Sequence, residues 1–419
     1  MPYNLKKILF YSIFTLFTLI IFFLNNGVFP FWGELTTYPN SLIEIIIKWV
    51  NVNLQIFKED TVTFTTKNND TAFNYLKIIL FTIIAILSAF ILNFVKPSIS
   101  YDKLKLFLIE LVSIYLALNL VFYGFSKLLK IQFPSPDLYT LTQTYGSSSP
   151  MHLAWTFLGY SDGYNYFMGI IEIASIFILF KSTRALGVLI SLCCTSNIMF
   201  INYCFDLPVK IISSILFIMT LFLFFIDYER YWKFFIKGKS LREIPESFIS
   251  NNNTNYTIHL DKIKFAIFLP SLIFCIINLF NYKNQLLNQP PKPREYGIYY
   301  VEYVVYSDSF CMQHCYNNAS WSQIIIESEN LTIIKYCNDS VTFNITQWDR
   351  ENQTITYSDL YDSYSENQFS YAFYNDTKLK LKGKLNGINT QFFLTRKIIP
   401  SFRLTSRKFH WINEHSYYF

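Results

Sequence analysis

Charge is scarce in this chain: 15% of its 419 residues are Asp, Glu, Lys or Arg, where soluble domains carry about 25%. Histidine is scarcer still, with five residues, and only 12 are glycine. The shortage of charge excludes a disordered chain and an ordinary soluble globule, and the sparse glycines exclude a collagen. No paired intramembrane histidines, Gly-rich nucleotide loop, iron–sulfur cysteine pattern or Cys-x-x-Cys occurs, so any electrons would come from a partner. The net charge of +6 sits beside apolar runs instead of along one stripe, which argues against nucleic acid as a partner. What is abundant is apolar: 52% hydrophobic and 19% aromatic residues, with a mean hydropathy of +0.25. The composition is that of a membrane protein with a soluble part attached, and its first partner is the lipid bilayer.

Seven stretches are long enough to cross about 30 Å of hydrocarbon. They are Ile8–Leu24, Tyr75–Val95, Leu104–Phe122, Tyr164–Phe180, Ala185–Phe205, Val209–Ile226 and Ile263–Phe280. The first reads as a retained anchor, because Asn25–Pro30 is a poor cleavage site. Fourteen lysines and arginines flank the Lys6 side of these spans and seven the Lys48 side. The N-terminus is therefore expected in the cytoplasm and the tail beyond Asn281 outside, as in a bacterial inner membrane with a periplasmic domain. Asn40–Phe57 places Glu44, Lys48, Asn51 and Gln55 on one helical stripe, an interfacial amphipathic pattern. Ser149–Leu158 is a short helix with Ser149 as cap, Pro150 first and Gly159 at the exit, too short to span.

Pro290–Pro293 is a stiff linker, after which β-branched and aromatic runs alternate with turn residues. Eight strands are expected: Tyr296–Tyr306, Ser322–Glu327, Leu331–Tyr336, Val341–Trp348, Thr354–Ser358, Phe369–Tyr374, Lys378–Leu385 and Asn389–Arg396. Lys378–Lys384 alternates charged and apolar residues, and Leu385–Ile388 holds an Asn-Gly hairpin signal. Short strands on short turns suggest a meander closing into a small barrel or sandwich, with a packed core commoner than a bound ligand. The fold class expected is a polytopic α-helical membrane bundle of about seven spans followed by a small all-β domain. Its regions are 1–103 (two spans and the interfacial helix), 104–226 (a four-span core), 227–289 (a cytoplasmic loop and the seventh span) and 290–419 (the exported β domain).

The spans carry more polar groups than an inert anchor needs. Tyr115, Asn119, Tyr123 and Lys127 recur every four residues as one stripe. Glu172 sits well inside the fourth expected span, Asn197 at similar depth in the fifth, and Asn202 and Asp206 nearer the outer surface. An ionised carboxylate in hydrocarbon is costly, so Glu172 should pair, face the bundle or hold its proton. With His152 and Trp155 these groups outline an outward-open pocket. The competing reading is that Asn and Tyr bond between helices while Lys127 and Asp206 reach back to water. Glu110 is expected at the inner interface or against a helix partner. Cys193, Cys194, Cys204 and Cys275 read as small apolar packing. Cys311, Cys315 and Cys337 are an odd set that allows one disulfide within the tail; no metal site is expected.

Tyr123-Gly124-Phe125-Ser126-Lys127-Leu128, Gly169-Ile170-Ile171-Glu172 and Thr183-Arg184-Ala185-Leu186-Gly187 resemble the DoxX/DoxD-like integral membrane family. Ala174 and Ser175 stand where that family commonly has a glycine pair, which implies looser packing there. Ser148–Met151 with Trp155–Phe157, and Phe409–Glu414, resemble a subgroup with an exported β domain. The resemblance implies quinone-linked or thiol-linked redox complexes, and more distantly the membrane half of vitamin-K-dependent carboxylases. The expectation is a redox-associated component that takes a quinone in the outer half of the bundle. Lys127 or His152 would donate to a ring carbonyl, Glu172 would relay a proton, and a partner protein would supply electrons. A non-enzymatic scaffold whose β domain binds an envelope partner or lipid, and a carboxylase-like enzyme using reduced quinone, remain as alternatives. Homo-oligomerisation stays open.

Overall fold

The computed structural model describes residues 3–24, 26–57, 70–95, 100–240, 255–288, 290–306, 309–311, 320–360, 366–385, 387–397, 402–406 and 411. The chain divides into two units. One comprises Met1–Ser135 and Ser149–Leu287, the other Pro136–Ser148 and Asn288–Phe419. The tail block Phe409–Glu414 lies outside the described residues apart from Trp411.

The first unit is helical. Its long elements are α1 (Tyr3–Phe23), α3 (Thr37–Leu54), α4 (Ala72–Val95), α5 (Tyr101–Leu128), α9 (Arg184–Cys204), α10 (Lys210–Ile226) and α12 (Asn255–Leu287). Shorter ones are α2 (Trp32–Leu35), α7 (Pro150–Tyr160), α8 (Asp162–Ala174) and α11 (Tyr228–Tyr231); α6 (Leu138–Thr142) belongs to the second unit. Among the described residues five helices are long and apolar enough to cross a membrane: those within α1, α4, α5, α9 and α12. A sixth candidate is the pair Lys210–Ile226 and Tyr228–Ile236, bent by 69°.

The count differs from the sequence expectation at Tyr164–Phe180. There the α-helix stops after thirteen residues at Ala174 and continues as a 3₁₀ turn over Ser175–Leu179. The other expected spans fall on these helices. Central α5 is the most enclosed: Leu108, Ile109, Val112, Leu116, Ala117, Leu120 and Val121 have no exposed surface. Polar side chains such as Thr220 and Ser126 satisfy themselves on the carbonyl four residues back, at 2.7 and 2.8 Å.

Helix α3 bears half of the expected polar stripe: Glu44 and Lys48 pair at 2.7 Å, whereas Asn51 is buried on the Phe57 backbone and Gln55 caps the helix from outside. Tyr38, Leu42, Ile45, Trp49 and Val52 form an exposed apolar stripe at helical spacing. In α7 the Ser149 hydroxyl caps the His152 N–H at 3.1 Å with Pro150 in the first turn. Gly159, expected at the exit, instead lies inside the helix. A Cβ there would come within 2.1 Å of the Pro134 carbonyl oxygen, so its role is close approach.

The second unit is an antiparallel barrel. Among the described residues its strands are β1 (Gly297–Tyr306), β2 (Ser309–Cys311), β3 (Trp321–Ser328), β4 (Leu331–Tyr336) and β5 (Val341–Asp349), then β6 (Thr354–Asp359), β7 (Glu366–Asn375), β8 (Lys378–Leu385) and β9 (Ile388–Lys397). Strands β3 to β9 follow one another as a meander and β9 returns to β1, closing eight strands, while β2 adds to β1 at Val304–Tyr306. The eight expected strands are all present, and β2 is the addition. Leu379 and Leu381 point inward from the alternating β8. Leu385 pairs with Ile388 across the expected hairpin, where Gly387 has φ 81°.

Side chains fill the barrel: Tyr299, Trp321, Tyr357, Phe369 and Phe392 pack inside, with Trp321 stacked on Phe392 at 4.6 Å. That matches the packed-core reading of a small barrel. On the outer face Leu138 of α6 is buried with Ile298, Ile325 and Ile333. Glu327 accepts the Tyr139 N–H at 2.8 Å, a carboxylate at the start of a short helix. Cys337 is disulfide-bonded. Cys193, Cys194, Cys204 and Cys275 are free, and Cys315 and the Cys311 side chain lie outside the described residues.

Candidate functional site

The site is built where α5 and α8 touch backbone to backbone. A Cβ on Gly124 would lie 2.7 Å from the Gly169 carbonyl oxygen, and one on Gly169 would lie 2.7 Å from that of Gly124. This approach, made by two glycines and not by the Ala174–Ser175 pair, lets a lysine of one helix reach a glutamate of the other. Lys127 Nζ donates to both Glu172 oxygens, at 2.7 and 2.8 Å. The side chains are 4% and 7% exposed, so the pair is held away from bulk water. Its ammonium also faces the rings of Phe133 and Tyr123, at 5.5 and 5.8 Å from their centroids.

The pair borders a cavity of about 510 Å³. Trp155, Phe133, Tyr164, Phe167 and Met168 give it aromatic and apolar walls. Asn26, Gln132, Asn197, Asn202, Cys193 and Cys194 supply polar or polarisable groups. A largely apolar cavity with a few convergent polar groups is the usual form of a small-molecule site. Tyr123 and Gln132 have a second role: they also line an apolar groove of about 410 Å³ with Phe122, Ile131, Leu279 and Tyr282.

No family model matches the chain, and no solved structure matches it. Over 125 residues, 29% of this chain and 78% of the relative, it is 36% identical to the uncharacterized protein YwoB of Bacillus subtilis (strain 168). The chain belongs to the family of YwoB. The relative's name assigns no activity, so chemistry in this YwoB-like protein has to be argued from its own residues.

Of the residues singled out from the sequence, Lys127, Glu172, Tyr123, Trp155, Asn197 and Asn202 come together at the cavity. Four do not. Tyr115 is fully buried below it and donates its hydroxyl to the Leu24 carbonyl at 2.8 Å. Asn119 accepts from the Asn26 amide at 2.8 Å and serves the wall from behind. His152 lies off the cavity, where its buried Nε2 has no hydrogen-bond partner. Asp206 is an exposed partner of Lys210, at 2.6 Å. The stripe on α5 thus divides: its lower half bonds between elements and its upper half faces the cavity.

Asn26 was not foreseen. Asn26 and Gly27 both have positive φ, at 56° and 73°, which turns the chain sharply out of α1 and aims the amide inward. That amide donates to Asn119 and to the Tyr123 hydroxyl, each at 2.8 Å, holding the phenol at the cavity wall. The Asn-Gly dipeptide was the available signal.

A second buried charge cluster stands at the other end of α5. Glu110 accepts from Arg184 Nη2 at 2.7 Å and lies 3.1 Å from Lys264 Nζ. Arg184 also donates to the Ile178 carbonyl at 3.0 Å, and Lys264 to that of Leu179 at 2.8 Å. Asp261 links Lys264 to Lys181. Glu110 thus has helix partners, as one of its two expected fates required. Arg184 and Lys264, counted from the sequence as flanking positive charges, turn into the bundle and are 3% and 2% exposed.

Proposed function

We propose that this protein is a DoxX-like integral membrane component of a redox system, and that its cavity takes a quinone-like amphiphile. The observation that carries the reading is the buried Lys127–Glu172 pair set in the wall of a mainly apolar cavity. Transmembrane carboxylates and lysines are costly and mark substrate or proton sites more than they mark packing. The residues suit a ring with two carbonyl or hydroxyl oxygens. Lys127 and the Tyr123 hydroxyl are donors, Gln132 Oε1 is a buried acceptor without a partner, and Trp155 and Phe133 offer ring faces. The adjoining apolar groove suits an isoprenoid chain leaving past Tyr123 and Gln132.

A bound quinone supplies a reversible two-electron, two-proton couple, with electrons delivered by a partner protein. Lys127 orients the ring oxygen, and Glu172 holds or releases the proton at its carboxylate. In this reading the N-terminus is cytoplasmic and the barrel lies outside, with the apolar stripe of α3 in the bilayer interface. Asp162–Leu179 then counts as a further crossing: thirteen α-helical and five 3₁₀ residues rise about 30 Å together.

The test is mass spectrometry of lipids and quinones retained by the full chain in mild detergent. The expected result is a stoichiometric isoprenoid ring in wild type that Glu172→Gln, Lys127→Met and the cavity-filling Ile198→Trp all lose. No enrichment over the bulk membrane extract overturns the reading.

A further inference from the structure

Among the described residues twelve buried side-chain polar atoms lack a well-aligned hydrogen bond, and five of them belong to the stretch between the two charge clusters. They are Ser191 Oγ, Ser113 Oγ and Arg184 Nη1, with Ser175 Oγ, which has the Cys194 thiol as a hydrogen-bonding neighbour, and Glu110 Oε2, which ion-pairs with Lys264 at 3.1 Å. The three serines have no exposed surface at all. Elsewhere in the bundle a buried hydroxyl falls back on its own helix: Ser126 on Phe122, Ser271 on Ile267 and Thr220 on Leu216, at 2.7 to 2.8 Å. Ser113, Ser175 and Ser191 do not. A buried hydroxyl left unpaired costs about 1–3 kcal/mol, so Ser113 and Ser191, which have no side-chain neighbour of the Cys194 kind, call for a partner.

The glycine contacts place these groups in order. Helix α9 crosses the 3₁₀ turn at Gly187, where a Cβ would meet the Ile178 nitrogen at 2.2 Å. Ser191 lies one turn beyond Gly187 on α9, and Ser175 one turn before Ile178, so the two face the same level of an antiparallel crossing. Cys194, three residues past Ser191, shares a hydrogen bond with Ser175 and lies within electrostatic reach of Glu172 and Lys127. At the other end Arg184 touches Glu110, which sets Ser113, three residues further along α5, near the level of Gly187. The order from one cluster to the other is Glu172, Ser175, Ser191, Ser113, Glu110. Gly124 lies at the level of Glu172, so the axial separation of the clusters is about 20 Å, fourteen residues of α5.

We propose that these serines line a file of internal water that carries protons between the cavity's Glu172 and the Glu110–Arg184–Lys264 cluster. Buried water bonds to two to four polar groups that lack other partners. These hydroxyls, bridged by such waters, form a hydrogen-bonded chain. A proton accepted at one end releases a different proton at the other. Each hydroxyl and water gains one O–H bond and breaks one, so a single positive charge moves and nothing is oxidised. Lys127 and Lys264 hold the terminal carboxylates, and Arg184 Nη1 offers the last donor before Glu110. The inference does not rest on the ligand reading, since the path lies below the cavity and needs no quinone.

The experiment is proton flux into proteoliposomes that hold the full chain and a trapped pH-sensitive dye, driven by a potassium diffusion potential with valinomycin, without quinone. The expected result is flux above protein-free vesicles, falling about tenfold in Ser191→Val and in Ser113→Val. Ser191→Thr, which keeps the hydroxyl, retains it, and so does Ser126→Ala, whose hydroxyl bonds its own helix. Wild-type flux equal to that of protein-free vesicles overturns the proposal. So does undiminished flux in folded valine variants. Should the valine variants fail to fold, Ser191→Ala and Ser113→Ala replace them, and unchanged flux in both is equally fatal.

Discussion

Glu172 and Glu110 are hidden to the same degree, each with a 7% exposed side chain, and each is matched by a buried cation. Their surroundings part company after that. Glu110 has two cations, and both of these donate onward to carbonyls of the 3₁₀ turn, at Ile178 and Leu179. Glu172 has one cation, both of its oxygens are used on it, and the pair borders a cavity. A carboxylate whose cations go on to bind backbone is a clamp: it ties α5, α9 and α12 to a turn that lacks regular α-helical bonding. A carboxylate with a single movable lysine and open volume beside it can exchange that partner for a ligand. Burial and charge alone do not separate the two cases; the second partners do.

The comparison breaks first, and hardest, at the clamp. Arg184→Met leaves Glu110 short of its closest partner and the Ile178 carbonyl without its donor. Removing one member of a buried pair costs about 3–5 kcal/mol. The unfolding temperature in detergent, followed by tryptophan fluorescence, should fall accordingly. Replacing the whole set by Glu110→Met, Arg184→Leu and Lys264→Met should recover most of the loss, because no charge is left unpaired. The paired change Lys127→Met with Glu172→Met should likewise preserve stability while abolishing ligand retention. If the clamp triple variant also lost ligand, or the Lys127–Glu172 double variant kept it, the division between clamp and site would fall.

A smaller effect is expected at the glycine contact. Gly124→Ala pushes a Cβ against the Gly169 carbonyl oxygen at 2.7 Å and the Ile173 side chain at the same distance. The helices must part, at a cost of about 1–3 kcal/mol, and the Lys127–Glu172 pair lengthens with them. Ligand retention should weaken while the Glu110 cluster, fourteen residues away on α5, keeps its geometry. Loss of stability without any change in retention would show that the pair does not depend on this approach.

The barrel strands were legible because their signal is local. In Lys378–Leu385 every second residue is apolar, and Asn386-Gly387 names the turn. Closure of β9 onto β1 was only one of two expected outcomes, since it pairs residues about ninety positions apart. In the helical unit, Lys127 and Glu172 stood out as charges in apolar runs, but not as partners, because the glycines that bring them together lie on different helices. Arg184 and Lys264 were counted as flanking charges because a span end does not reveal which way a long side chain turns. The turn at Ser175 was invisible because nothing in Ser175–Leu179 breaks an apolar helix by propensity. Asn26 shows the reverse: its dipeptide marked a chain reversal, yet the amide's destination depended on a helix ninety-three residues further on.

The smallest expected effect comes from a third carboxylate, which among the described residues has no cation within ion-pairing distance, Lys292 acting on it from further off. Glu327 is partly buried in the barrel unit and accepts the N–H groups of Tyr139 and Leu138. Burial pushes its carboxyl above the ordinary value and Asp137 adds to that, while the two N–H bonds and, more weakly, the Lys292 ammonium oppose it without cancelling it. The folded unit therefore holds this proton at a pH where the unfolded chain has released it. The stabilisation from this group is fully present below the unfolded value and is lost as pH rises through the folded one. Barrel unfolding of the full chain, followed by near-UV circular dichroism from pH 4 to 8, should show Glu327→Gln losing less stability with rising pH than wild type. A steeper fall in the variant would mean that the N–H bonds outweigh burial and that the carboxylate is held ionised. In that case backbone N–H donors, with Lys292 acting only from beyond contact, keep a hidden carboxylate charged here, and the contrast drawn between Glu172 and Glu110 would have to include backbone donors beside lysine.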